Sequence, residues 1–421
     1  MDMLKTEKFS LDGKKCFDIA VLMFGFAFLL RLVIAVGYIN KYDTLWYRAW
    51  ALELPGGLFN IYSRAEQISL DYPPMYLFLL YITGHIYRLL GNSWHIMTDM
   101  LLMKFWPILF DTICGVVLYN IFKKYSYITG FLAAFLWLFN PSTVFNSAFW
   151  GQTDGLMCLL LLISFYALEK KKPVLAAVLF AVAGLTKYQC LFFTPVFLIE
   201  LYLRGGIKNA AKGIVAAGVT VAAVFLPFMI GAENPFLFFD IYLGGSEKYP
   251  KCTLNAFNFY GMCNLNWEND SLKVIGGLTV QNISTIITVL LVVLVFVLYR
   301  FAKTKCMWTI SFLFMNSLFM FMSRMHERYQ FVVIIFILFA ALKHKQKSLF
   351  YSFTLVSFIT FINQLVPMFS WNTENTVFTM YYNEILVFMS FVNFAVYLVT
   401  GYFCLKFLFS EKKEMTVNEI F

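Results

Sequence analysis

Asp43, Arg48 and Asp71 stand between the first two apolar stretches, in the segments Asp43-Thr44-Leu45-Trp46-Tyr47-Arg48-Ala49-Trp50 and Asp71-Tyr72-Pro73-Pro74. A carboxylate so placed can take a proton from a hydroxyl, and an arginine can pair with an anion, each more strongly beside an apolar phase than in open water. Trp150-Gly151-Gln152-Thr153-Asp154, Lys187-Tyr188-Gln189 and Arg324-Met325-His326-Glu327-Arg328 are polar islands of the same kind. Ionisable groups in or near a bilayer are costly, so each island is a candidate for function. Asp43 is the candidate general base. Arg324 and Arg328, read as one helical turn apart with His326 between them, and then Lys187, are the candidate cations for an anionic group.

The elements that must position these groups are helices in a membrane. Of 421 residues, 60% are apolar, 19% aromatic and only 14% charged, against roughly 25% charge in a soluble domain. Apolar runs of about 20 residues, enough to cross ~30 Å of hydrocarbon, recur throughout. The expectation is an all-α polytopic bundle of about 12–14 crossings. It forms one domain over 1–421, with a first external loop at 37–72, a second at 231–280 and a C-terminal transmembrane module at 281–421. Phe17 to Val36 reads as an anchor rather than a cleaved signal peptide. The net charge of +9 resides in short Lys/Arg clusters between apolar runs, which is a topology signal and excludes a nucleic-acid reading. Lys5, Lys8, Lys14 and Lys15 at one end and Glu411-Lys412-Lys413 at the other put both termini inside, and the polar islands outside.

That orientation needs an even number of crossings, whereas the apolar segments number thirteen. Either one segment is re-entrant or kinked short of a full crossing, or 91–122 is two short helices broken at Trp106-Pro107. Lys104 and Asp111, seven residues apart on one helix face, read as a charged pair facing the bundle interior. In the first loop Asp43 or Thr44 can cap a helix running to Leu54. Trp46, Trp50 and Leu54 line one face of it, with the tryptophans among lipid headgroups. Asn255 and Asn258 can order the second loop against the first. Of eight cysteines no pair has Cys-x-x-Cys spacing, and Cys252 and Cys263, sharing a loop, can form a disulfide.

Taken in order, these motifs resemble the integral-membrane glycosyltransferases of the GT-C superfamily over about residues 40 to 340. The likeness is greatest to the dolichyl-phosphate-glucose glucosyltransferases of N-glycan assembly and to bacterial and GPI-type mannosyltransferase relatives. The glucosyltransferase pattern of Asp, then Arg, then Trp in the first loop is matched by Asp43, Arg48 and Trp50; its Leu-Asp-Tyr-Pro-Pro by Leu70 to Pro74. Its buried Asp corresponds to Asp111 and its His-Glu-Lys to His326-Glu327-Arg328. Lys187-Tyr188-Gln189 and Gln152 match more loosely, and Trp150 to Asp154 is closer to the bacterial relatives.

The resemblance implies inverting transfer of a hexose, glucose or mannose, from a polyprenyl-phosphate sugar to an acceptor hydroxyl on a lipid-linked or cell-envelope glycan. Asp43 is the implied base, and Arg48, Asp71, Tyr72, Gln152, Asp154, Lys187, Gln189, Arg324, His326, Glu327 and Arg328 the implied substrate-binding residues. No cofactor is expected. A departing phosphate requires no metal, and the first loop has no Asp-x-Asp to hold one. The partners are the bilayer, the lipid-linked donor and the glycan acceptor. The site is expected on the extracytoplasmic face, of the plasma membrane if the source is prokaryotic.

Plainer roles stand beside these. Asp43 can be only a helix cap, and Asp71 can merely order its loop. Arg324, His326 and Arg328 can be interfacial anchors, and Trp150, Gln152 and Asp154 can cap the next span. A flippase or transporter of lipid-linked sugars is the alternative function, although no internal repeat of the transporter kind is evident.

Overall fold

The computed structural model describes residues 13–38, 43–91, 95–230, 234, 236–237, 239, 244, 247–372 and 377–410. The terminal charges Lys5, Lys8 and Glu411-Lys412-Lys413 lie outside the described residues. So do Tyr42 and parts of the two loops at 231–280 and 368–383.

The chain is largely helical. α1 (Gly13–Ala35) is followed by α2 (Asp43–Glu53), α3 (Pro74–Leu89), α4 (Ile96–Phe122), α5 (Tyr127–Leu138) and the short α6 (Pro141–Val144). α7 (Asp154–Glu169), α8 (Pro173–Thr186) and α9 (Thr194–Met229) complete the amino-terminal part, α9 being interrupted at Gly206 where φ is 67°. After a long polar loop carrying α10 (Phe259–Met262) and a two-stranded hairpin, β1 (Lys273–Ile275) with β2 (Leu278–Thr279), come α11 (Val280–Phe301), α12 (Met307–Phe321) and α13 (Val333–His344). α14 (Lys347–Asn372), α15 (Val377–Met380) and α16 (Tyr382–Phe409) close the fold. The hairpin is a small departure from the all-α expectation.

Among the described residues six helices are long and apolar enough to cross a membrane, and the bent pair formed by Tyr127–Leu138 and Pro141–Trp150 would make a seventh. α12 and α13, also apolar, are 15 and 12 residues long, or about 22 and 18 Å. Every residue of α13 from Val333 to Leu342 is buried. A helix apolar on all sides belongs in the core, and α13 is the column against which α5, α7, α12 and α14 pack.

Of the two expectations for the odd segment, the bent or re-entrant one matches the structure and the break at Trp106-Pro107 does not. α4 runs unbroken through Pro107, so 91–122 is not two helices. The break falls at Asn140-Pro141, where the Asn140 side chain caps the following turn by accepting from the Ser142 amide at 2.9 Å and the axis bends by 50°. Residues Phe145–Trp150 then widen into a π turn. Gly151 ends it at φ 86°, where an added Cβ would stand 3.0 Å from Lys104 Cγ.

Lys104 and Asp111 are not a pair. Seven residues of helix separate them by about 10 Å, and each finds a partner elsewhere. Lys104 Nζ donates to the carbonyls of Ala35, Tyr38 and Phe149 at 3.0, 2.6 and 2.7 Å, tying the end of α1 to the π turn. Asp111 pairs with the buried Arg31 of α1 at 3.7 Å. Cys252 and Cys263 are free thiols, the first buried and the second exposed; the loop brings Cys252 to the Asn269 carbonyl instead.

α2 is held flat against α3. Gly84 of α3 faces the Ala51 carbonyl and the Pro55 ring, and a Cβ there would lie 2.6 Å from Pro55 Cγ. Gly84→Ala is therefore expected to pry α2 from α3. The cost should be about 1–3 kcal/mol, read as a lower melting temperature of the purified protein together with lost activity.

Candidate active site

The helix start at Asp43 meets the π turn at Trp150. The Trp150 indole Nε1 donates to Asp43 Oδ2 at 2.8 Å, and the Thr44 hydroxyl donates to the Trp150 carbonyl at 3.4 Å. Trp150 itself is wholly buried. The guanidinium of Arg328 lies 5.5 Å over its ring, within the range of a cation–π contact. A base and a cation from opposite ends of the sequence are thus gathered on one tryptophan.

Around them opens a cavity of about 760 Å³. Asp43, Asp71, Tyr72, Lys187, Gln189, Arg324, His326, Glu327 and Arg328 line it. These are nine of the twelve residues singled out from the sequence. Gln152 and Asp154 stand directly behind it. Asp154, at the start of α7, accepts from Asn146 Nδ2 at 2.9 Å and pairs with Lys187 at the end of α8. The Gln152 side chain accepts from the Tyr47 hydroxyl at 3.3 Å. Arg48 is not brought to the cavity. It pairs with Asp99 at 3.2 Å, a carboxylate that also accepts from Tyr87.

Residues 322–332 are not a helix, so Arg324 and Arg328 are not one turn apart. Residues 324–327 pair with the second loop, and 327–332 form turns: the Arg324 amide donates to the Lys251 carbonyl, the Leu254 amide to the Met325 carbonyl, and the Glu327 amide to the Leu254 carbonyl, at 3.0, 2.9 and 3.2 Å. This pairing turns the two arginines to different tasks. Arg324, at φ 62°, donates to Asp270 at 2.6 Å. Arg328 reaches the cavity, with Nη1 donating to Glu327 at 2.8 Å. Its buried Nε has no hydrogen-bond partner among the described residues.

Burial works to raise the carboxyl of Glu327, but the hydrogen bond from His326 and the charge of Arg328 outweigh it and hold the group below its ordinary value of 4.5. For Arg328 burial works the other way, toward losing the proton. Asp43 and Glu327 overcome it and hold the guanidinium charged above its usual range.

Asp71 bridges the two loops by accepting from Lys248 at 2.8 Å. That contact, rather than Asn255 or Asn258, joins them: Asn255 bonds within its own loop and to Asn363, and Asn258 caps α10. Trp50, expected among headgroups, is buried, and its indole donates to the Ile68 carbonyl at 2.8 Å. Trp46 of the same helix is 44% exposed and lines the cavity. Trp150, Lys248, Tyr249, Trp267 and Trp371 also belong to the site region and were not chosen from the sequence. Trp150 had a signal, its place in the Trp-Gly-Gln-Thr-Asp island; the others have none beyond lying in polar loops.

Helices of crossing length, together with a cavity whose wall carries ionisable side chains from several loops, define an integral-membrane protein with a site built from its loops. Residues 70–324 match the model of glycosyltransferase family 87. The match covers more than half of the 421 residues, and the chain belongs to this family of GT-C-type membrane glycosyltransferases. A comparison with curated proteins gives no match. The matched span starts at Leu70, so the case for Asp43 rests on geometry and chemistry.

Two outcomes follow. Lys187→Met strands the Asp154 carboxylate in the interior and is expected to destabilise by about 3–5 kcal/mol, with much of the loss recovered in the Lys187→Met/Asp154→Asn double variant; unfolding midpoints of the three proteins measure it. Glu327 has its native value below the unfolded one, so between the two only the unfolded chain binds the proton. Its stabilisation is full above about pH 4.5 and lost as pH falls through the native value. Melting curves on acidification should therefore drop more steeply for the native protein than for Glu327→Gln.

Proposed function

We propose that the protein transfers a hexose, glucose or mannose, from a polyprenyl-phosphate donor to an acceptor hydroxyl with inversion at the anomeric carbon. The observation that carries the reading is the joint placement of Asp43 and Arg328 on Trp150 at the wall of one cavity. Family membership supports the glycosyl-transfer chemistry.

In this reaction the acceptor oxygen attacks the anomeric carbon while its proton passes to the Asp43 carboxylate. The bond from that carbon to the phosphate oxygen breaks, and the polyprenyl phosphate leaves as a dianion. Charge builds on the phosphate as it departs, and a donor already aimed there lowers the barrier. Arg328 suits this work because its buried Nε lacks a hydrogen bond among the described residues and because a guanidinium can grip phosphate oxygens with two parallel bonds. Arg324 is held by Asp270 and serves the loop. Lys187, neutralised by Asp154, contributes polarity at the floor of the cavity.

With an arginine meeting the leaving group, the reaction calls for no metal and no cofactor. We assign the cavity to the extracytoplasmic side, since the clusters Lys123-Lys124, Lys170-Lys171-Lys172 and Lys343-His344-Lys345 are of the kind retained in the cytoplasm.

The test is purified protein with polyprenyl-phosphate glucose or mannose and a panel of glycan acceptors, products being weighed by mass spectrometry. Asp43→Asn is expected to lower transfer by about 10²–10⁴-fold while donor binding persists. Full activity in that variant would remove Asp43 from the role of base.

A further inference from the structure

The wall of the cavity formed by the second loop carries exposed aromatic rings that the transfer step does not use. Trp267 is 45% exposed and Tyr249 40% exposed, and both line the cavity. They rise from segments paired with each other. The Trp267 amide donates to the Thr253 carbonyl at 3.0 Å, and the Cys252 amide to the Glu268 carbonyl at 2.7 Å.

Trp267 is fixed in place at a conformational cost. Its φ is 62°, in the left-handed region that a bulky side chain rarely enters. Asn255 and Asn264 in the same loop also have positive φ, but asparagine tolerates that conformation and tryptophan does not. Strain of this type concentrates at ligand-holding positions. The surroundings hold the ring there: its Nε1 donates to Asn255 Oδ1 at 3.1 Å. Asn255 Oδ1 also accepts from Asn266 Nδ2 at 3.1 Å, and Asn363 Nδ2 donates to the Asn255 carbonyl at 2.8 Å.

A headgroup anchor would leave its indole N–H to water and lipid and would need no strained backbone. A groove for an isoprenoid chain would be lined by apolar groups alone. Here the rings stand beside Asn255, Lys248, Asp71 and His326, the mixture of flat apolar face and hydrogen-bonding edge that a pyranose presents to its binding site.

We propose that Trp267, with Tyr249, forms an acceptor subsite in which the ring of Trp267 stacks on the C–H face of a saccharide, making the acceptor a glycan rather than a simple lipid alcohol. This rests on the glycosyl-transfer reading of the cavity. Trp267 sets acceptor affinity and does not touch the reacting atoms.

The test has two readouts. Saturation-transfer NMR on the full-length protein in nanodiscs, with methyl α-mannopyranoside and methyl α-glucopyranoside as probes, is expected to show saturation of sugar C–H protons in the native protein. The signal should vanish in Trp267→Ala and persist in Trp267→Phe. In the transfer assay Trp267→Ala should raise the acceptor KM by about tenfold or more with kcat little changed, and its melting temperature should match the native one because the ring is half exposed. Equal saccharide signals in native and Trp267→Ala protein, or none in the native protein, would overturn the subsite. Saturation confined to the isoprenoid protons of farnesyl phosphate and abolished by Trp267→Ala would also overturn it, by assigning the ring to lipid. Trp267-dependent saccharide binding in a protein that transfers no hexose would uphold the subsite and remove the transferase reading instead.

Discussion

The site depends on one indole. Trp150 donates from its ring edge to Asp43, has the Arg328 guanidinium 5.5 Å over its ring, accepts from Thr44 through its carbonyl and meets Trp371 ring to ring at 6.0 Å. An indole N–H can only donate, so it orients the carboxylate without competing for a proton. The tryptophan is itself positioned by a broken helix. Asn140-Pro141 bends the element, the π turn carries Phe145–Trp150 inward, and Lys104 clamps the Phe149 carbonyl to the end of α1. Single π turns inside helices are common at functional sites because they re-aim a few side chains without dismantling the helix.

Charges in the bundle are kept in partnership. Arg31 with Asp111, Lys187 with Asp154, and Glu200 with Arg204 and Tyr299 each bring opposite charges or a hydroxyl to a buried ion. A single ion buried alone would cost far more than any of these arrangements. α7 also shows how the two ends of the bundle are separated. Its first residue, Asp154, joins the cavity floor. Its last, Glu169, is bound by Lys343 at 2.9 Å and by the Trp308 indole at 2.8 Å. Sixteen residues of helix, about 24 Å, lie between the cavity and the basic turns.

Ionisable groups were legible because the chain has so few of them. In a sequence with 14% charge, a short polar island is conspicuous, and Asp43, Lys187 and Arg328 could be chosen without knowing what they touch. Their partners were not legible. Arg31 meets Asp111 across 80 positions, and Lys104 spends its charge on backbone carbonyls, which leave no mark in a residue pattern. The second loop was the least readable part. It is built from isolated backbone bridges and left-handed residues such as Asn255 and Trp267, so neither a period of two nor one of 3.6 residues runs through it. The helices at Met307–Phe321 and Val333–His344 are apolar runs like the others in the sequence, and hydropathy alone gives neither their shortness nor their burial.

The geometry of Trp150 bears on the stereochemistry of the proposed reaction. A single displacement requires the acceptor to arrive on the face of the anomeric carbon opposite the departing phosphate. Base and phosphate cation must therefore flank the sugar and not share one side of it. On Trp150 the carboxylate is held at the edge of the indole, in the direction of the N–H bond, whereas the guanidinium is held over the face. The two groups thus contact the indole differently, one through its N–H and one over its ring. Glu327 also accepts from Arg328 at 2.8 Å, and its charge together with that of Asp43 keeps the guanidinium protonated.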